Sequence, residues 1–346
     1  MIKRILFVIL TLVALATVAL AADSLLINGA GATFPYPIYS KWFSEYYKLH
    51  PTLQFNYQSI GSGGGIKQIT DKTVDFGASD GPMDDKQLAK APGILHIPTV
   101  LGAVVIVYNQ PGLDGLKLSG ETLAGIFLGD IKKWNDPRIA ADNAGTPLPD
   151  AEVTVAHRSD GSGTTYIFTD YLGKVSPDWK KKVGVDKSVK WPAGLGGKGN
   201  EGVTGIVRQT PGSIGYVELA YATQNKLPMA AMKNAAGKSI APSIESTSAA
   251  AAGVAMPDDY RVSITNAAGD AAYPISGFTW LLVYKDQPDP RKGVALADFL
   301  WWAIHDGQKL APALDYAPLP EAVVKKIEAT LKTLTVQGKR ALARAD

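Results

Sequence analysis

Three short turns, each placed where a strand-like run gives way to a helical pattern, constrain this chain more than any other feature. They are GAGATFP at 29–35, GSGGG at 61–65 and the GSGTT at 161–165 inside HRSDGSGTTYIFTDYL. A turn of Gly, Ser and Thr at a helix start leaves backbone N–H groups pointing outward, and such a terminus favours an anion. Any one of them alone is explained as an ordinary helix cap. Three in one chain imply that their donors converge on one ligand. Arg158, just before the third turn, adds a charged donor of fixed planar geometry.

The surrounding pattern sets the fold class. Apolar runs at 25–27, 54–57, 103–108, 153–156, 214–217 and 279–284 alternate with segments of helical spacing at 38–47, 66–70, 165–172 and 294–304. That alternation predicts an α/β protein with largely parallel strands, whose ligand sits beyond the carboxyl ends of the strands. A chain of 346 residues is long enough for two domains. The first residues, MIKRILFVILTLVALATVALAAD, carry two early bases, an apolar run and a small-residue end. Residues 1–22 therefore read as a cleavable signal peptide, and the mature protein is expected to be soluble and periplasmic. There is no cysteine, which leaves no disulfide scaffold, thiol nucleophile, thiolate metal site or lipid-bearing residue. Setting Lys3 and Arg4 aside leaves 33 of the 35 basic residues, which nearly balance the 32 acidic ones. No basic run offers a footprint for nucleic acid, so anion specificity must come from a local site.

Competing motifs are weaker. GKGNEG at 197–202 matches a dinucleotide-binding pattern with Glu218 downstream, but its preceding strand, expected at 188–191, is cut off by Pro192. Asn200 as the cap of a helix at 201–209 accounts for the same residues. None of the Gly-rich turns ends in Gly-Lys-Ser/Thr, so there is no Walker site. His157 and Arg158 lie on opposite faces of a strand, and His50, His96 and His305 are isolated, so neither a hydrolytic triad nor a metal site is expected. VDFGASDGP at 74–82 puts Asp80 at a strand end, where it would accept a hydrogen bond from a ligand that still carries a proton.

Six stretches, GAGATFPYPIYSKW, YQSIGSGGGIKQI, VDFGASDGPM, HRSDGSGTTYIFTDYL, WPAGLGGKGNEGV and GSIGYVELAYA, resemble the periplasmic phosphate-binding proteins of phosphate-specific ABC transporters, from Leu26 to Leu319. The resemblance implies a type II-like two-domain periplasmic-binding fold, each domain a central sheet flanked by helices, with inorganic phosphate in the cleft. It implies domain I at 23–101 plus 273–346 and domain II at 102–272. The ligand residues it implies are Thr33, Phe34, Ser62, Asp80, Arg158, Ser162, Gly163 and Thr164, with Asp160 steadying Arg158. The implied partners are a membrane permease and its ATPase subunits, for a monomeric receptor with no catalytic activity, cofactor or metal. His157 and Ser59 depart from the family pattern, neither at a ligand position, and 244–269 is the part least like the family, from which nothing is carried over. The rival expectations are a receptor for sulfate or arsenate and a secreted phosphatase. A sulfate receptor conflicts with Asp80, because a fully ionised anion repels an unpaired carboxylate.

Overall fold

One strand organises the architecture. In the computed structural model, which describes residues 24–342 and so excludes the expected signal peptide, eight strands form one mixed sheet. They are β1 (Leu25–Gly31), β2 (Leu53–Ser59), β3 (Phe76–Ser79), β4 (Ile94–Asn109), β5 (Thr154–Arg158), β6 (Leu195–Gly197), β7 (Ser213–Glu218) and β8 (Ser276–Tyr284). Their order across the sheet is β2-β1-β3-β8-β4-β7-β5-β6. The 16-residue β4 is buried almost throughout; its first part pairs with β8 from Ile94 to Ala103 and its last six residues pair with β7. It therefore belongs to both halves of the sheet.

The outer strands are parallel: β1 with β2 and β3, and β5 with β6 and β7. The middle corrects the expectation of a largely parallel sheet, because β8 runs antiparallel to β3 and β4, and β4 antiparallel to β7. The reason is topological. β4 carries the chain out of the first half, and β8 brings it back alongside. Sequence patterning also found only the end of β4, since Pro98 breaks the apolar run. A proline fits there because the pairing slips: Thr279 faces Val100 while Trp280 faces Pro98, leaving Thr99 bulged.

Helices α1 (Tyr36–Leu49), α2 (Ser62–Thr70), α3 (Gly163–Val175), α4 (Gly199–Gln209) and α5 (Pro290–Ile304) cover the sheet. In α1 the residues Ile38, Tyr39, Trp42 and Tyr46 recur at helical spacing and are buried. Behind them Phe43 stacks on Phe55 with ring centroids 4.7 Å apart, and Phe299 of α5 packs 4.5 Å from Phe55. In the other half Phe168 of α3 stacks on Tyr216 of β7 at 4.2 Å. The strand expected at 188–191 is absent: Trp191 instead lies flat on His157 at 4.7 Å, and pairing with β5 begins only at Leu195, beyond Pro192. The turns after β1, β2, β5 and β6 meet one another: the Gly63 N–H donates to the Gly161 carbonyl, and Asn200 donates to Thr33.

A candidate anion-binding site

The site is best built from β5. Alternation along that strand buries Arg158, whose side chain is 1% exposed, and turns His157 outward onto Trp191. Asp160, two residues on, receives the Arg158 guanidinium in a fork: Nε donates to Oδ1 at 2.8 Å and Nη2 to Oδ2 at 2.6 Å. The Gly199 N–H also donates to Asp160 Oδ1 at 3.0 Å. Burial works to raise the Asp160 carboxyl, but Arg158 and this N–H outweigh it and hold the group below the ordinary carboxylate range. The remaining guanidinium nitrogen, Nη1, donates to Thr164 Oγ1 at 3.3 Å. Ser162 caps α3 by accepting the Thr165 N–H at 3.0 Å, which fixes the helix start against the arginine.

The first half supplies the opposite wall. Gly61, at φ +89°, makes the turn into α2, and the Gly63 N–H donates to the Gly161 carbonyl at 2.9 Å, so the two Gly-rich turns touch. Ser62 Oγ accepts the Gly163 N–H at 3.0 Å and the Asp80 N–H at 3.2 Å, joining three of the sequence-selected residues. Thr33 Oγ1 accepts from Asn200, from the side-chain amide at 2.7 Å and the backbone N–H at 3.2 Å. The carbonyls of Thr33 and Phe34 accept the hydroxyls of Tyr221 and Tyr316, each at 2.6 Å. Thr33, Phe34, Ser62, Asp80, Arg158, Ser162, Gly163 and Thr164 are all buried in this cluster.

Asp80 is the exception in this set of satisfied groups. Its Oδ1 accepts the Thr279 hydroxyl at 2.8 Å, whereas its Oδ2 is buried with no hydrogen-bond partner. The residue is 1% exposed, and burial pushes its carboxyl up to about 7 against the pull of Thr279, Arg158, Ser62 and Lys187. Two acids at one site therefore have opposite environments. Asp160 is held ionised by its arginine, and Asp80 is poised near neutrality with one oxygen open.

Sequence reasoning missed several supports. Asn200 does not cap a helix at 201–209: α4 begins at Gly199, Lys198 occupies the cap without a side-chain bond, and Gly199 at φ +71° redirects the chain. The Asn200 amide turns inward, donating to Thr33 and, at 3.2 Å, to Thr164, while its oxygen accepts the Glu218 N–H at 2.9 Å. The Gly-rich run at 197–202 marked the turn, but not the inward role of this amide. Thr279 carried none, because its role depends on the bulge at Thr99, whose hydroxyl bonds Tyr39 at 2.7 Å. Among the described residues no group of three or more His, Cys, Asp or Glu side chains is placed to hold a metal ion.

A profile described as PBP superfamily domain matches residues 16–306. The phosphate-binding protein PstS of Pasteurella multocida is 51% identical over 321 residues, covering 92% of this chain and 93% of that one. This chain belongs to the PstS family. The PstS protein of Methanocaldococcus jannaschii is 41% identical over 331 residues, covering 88% of this chain and 85% of its own. Among solved structures, the periplasmic phosphate-binding protein PfluDING, bound with phosphate, superposes with TM-score 0.71 at 22% identity, covering 88% and 93%. A putative phosphate ABC transporter substrate-binding protein from Clostridium perfringens, with bound phosphate, gives TM-score 0.64 at 14% identity, covering 85% and 100%. These likenesses show that this PstS-family chain has the two-domain periplasmic-binding fold. The long strand β4 pairs with both β8 and β7 and so runs through both halves of the sheet.

Proposed function

We propose that this chain is a periplasmic receptor that captures inorganic phosphate between its two domains and delivers it to an ABC-type importer. The domains divide as 23–101 with 273–346 against 102–272, and the leader at 1–22 directs export. Phosphate accepts hydrogen bonds from the hydroxyls and N–H groups of Thr33, Phe34, Ser62, Ser162, Gly163 and Thr164 and from Arg158. Its remaining proton goes to Asp80, while Asp160 keeps Arg158 in place. The receptor acts as a monomer and passes its cargo to the permease, which the ATPase subunits drive.

One observation carries this reading: a buried carboxylate oxygen without a partner stands among a cluster of donors. Donors suit any oxyanion, but a lone acceptor among them suits one that keeps a proton. The chain holds its ligand and does not cleave it. Ser162 has its oxygen engaged at the start of α3, and His157, the nearest imidazole in sequence, faces the other way. Among the described residues no helix is long and apolar enough to cross a membrane.

Calorimetry with phosphate, sulfate and arsenate on protein freed of bound ligand tests the reading. Several donors and one arginine closing on a small dry anion give a phosphate Kd of about 1 μM or tighter, roughly −8 kcal/mol. Millimolar phosphate binding, or sulfate binding as tight as phosphate, overturns it.

A further inference from the structure

The turn that carries Asp80 is gripped from across the cleft by a side chain that is not part of the anion cluster. Lys187, in the loop after the short helix Pro177–Lys182, donates from Nζ to the Pro82 carbonyl at 2.7 Å. Pro82 lies two residues past Asp80, on the other domain. The same ammonium stands 5.1 Å from the Tyr166 ring centroid, and the Lys187 carbonyl accepts the Ser162 N–H at 2.8 Å. Lys187 is therefore tied by its backbone to the start of α3 and by its side chain to the opposite wall.

Gly81 shows how close that approach is. A Cβ placed there would lie 2.7 Å from Tyr166 Cγ and 3.0 Å from Lys187 Cε, so only glycine admits these two side chains over the turn. The turn is also fixed on its far side. The Met83 N–H donates to His96 Nε2 at 3.0 Å within its own domain, while Arg261, in the same 102–272 segment as Lys187, donates from Nη1 to the Met83 carbonyl at 3.1 Å and to Asp85 at 2.7 Å, a second hold on the turn. A turn held this way moves as a unit, so a pull on Pro82 is a pull on Asp80. The Lys187 charge also draws the Asp80 carboxyl down from where burial alone would leave it.

We infer that Lys187 is a positioning residue for anion capture: by clasping the Pro82 carbonyl across the cleft it holds the closed state and sets how slowly the anion leaves. This rests on the phosphate reading above. A contact made only after closure affects dissociation and leaves the encounter rate alone. Its charge-assisted hydrogen bond corresponds to a ten- to hundred-fold effect, in order of magnitude.

The test is stopped-flow binding and release of inorganic phosphate by ligand-freed wild type, Lys187→Met, Lys187→Arg and Gly81→Ala. Lys187→Met keeps the apolar stem and should release phosphate about ten- to hundred-fold faster, with an association rate within about twofold of wild type and the same ligand-free Tm. Lys187→Arg should restore most of the slow release. Gly81→Ala should speed release without changing any charge, by wedging Tyr166 and Lys187 off the turn. A wild-type release rate in Lys187→Met overturns the clasp. So does faster release accompanied by a matching fall in association rate and ligand-free Tm, which would make Lys187 only structural. No phosphate binding by wild type itself overturns the underlying reading, and the two failures are thereby told apart.

Discussion

Replacing Asp80 with Asn in phosphate-free protein removes one buried titration and should change how stability depends on pH. An ordinary aspartate ionises near 3.9, whereas burial moves Asp80 up to about 7. The folded protein therefore holds this proton more tightly than the unfolded chain does. Between about pH 4 and pH 7 the native state binds more protons, so the Asp80 contribution is complete below pH 4 and is lost as pH rises towards 7. About three pH units at 1.36 kcal/mol each give roughly 4 kcal/mol. Asn keeps the oxygen that accepts the Thr279 hydroxyl and cannot titrate. Glu218, fully buried with Oε1 unpaired and also raised by burial, biases the pH profile in the same direction, but it is present in both proteins and cancels in the difference. Urea unfolding of both proteins at intervals from about pH 4 to pH 8 reads the effect directly. The wild type should lose about 4 kcal/mol relative to Asp80→Asn across that window. Parallel profiles would show that the Asp80 carboxyl is solvated or paired, and the argument would fail.

Two further substitutions probe the walls of the site. Arg158→Ala leaves Asp160 unbalanced beside the anion and should cost about 2–5 kcal/mol of phosphate affinity by calorimetry, with only partial recovery in Arg158→Lys because a point charge cannot reproduce the planar fork; wild-type affinity in Arg158→Ala would refute the role. Gly163→Ala places a Cβ 2.5 Å from Asp80 Oδ2 and 2.6 Å from Asp80 N, so the walls must part and phosphate affinity should drop by about five- to hundredfold, an overpacking penalty of roughly 1–3 kcal/mol; unchanged affinity would mean that the turns separate freely.

What the sequence disclosed about this site follows from the range of the interactions involved. The three β–α turns were legible because Gly, Ser and Thr at a helix start mark a local backbone need, and Ser162 meets it within three residues. The pairing of Arg158 with Asp160 was legible for the same reason, as a neighbour relation along one strand face. Asn200, Thr279, Tyr221 and Tyr316 were not. Their partners at Thr33, Asp80 and Phe34 are set by how the halves of the sheet register, and no local pattern encodes that. The antiparallel centre was hidden likewise, since Pro98 reads as a strand end until the bulge at Thr99 is seen.

The acid inside an anion site becomes intelligible once its two carboxylates are kept apart. Because Asp160 is paired in a fork with Arg158, the arginine brings little net charge to the ligand, and attraction for anions as a class is correspondingly weak. On the proposed reading, selection then depends on matching donors to acceptors, the part assigned to Asp80. On the phosphate reading proposed above, its open oxygen accepts the phosphate proton at neutral pH, while sulfate has none to give and leaves a buried acceptor unpaired. Lowering the pH well below about 7 puts a proton on Asp80 itself and turns it into a donor. Discrimination against sulfate should therefore relax as pH falls, by about tenfold per unit at most, since each proton taken up shifts the balance by one factor of ten in acidity. Competition of sulfate against labelled phosphate at about pH 8 and about pH 5 measures it. In Asp80→Asn, sulfate should bind measurably at both values, with no such pH dependence beyond that of phosphate's own ionisation. A sulfate constant that is equally weak in the variant and insensitive to pH in the wild type would move the source of selectivity away from Asp80 and onto the shape of the closed walls.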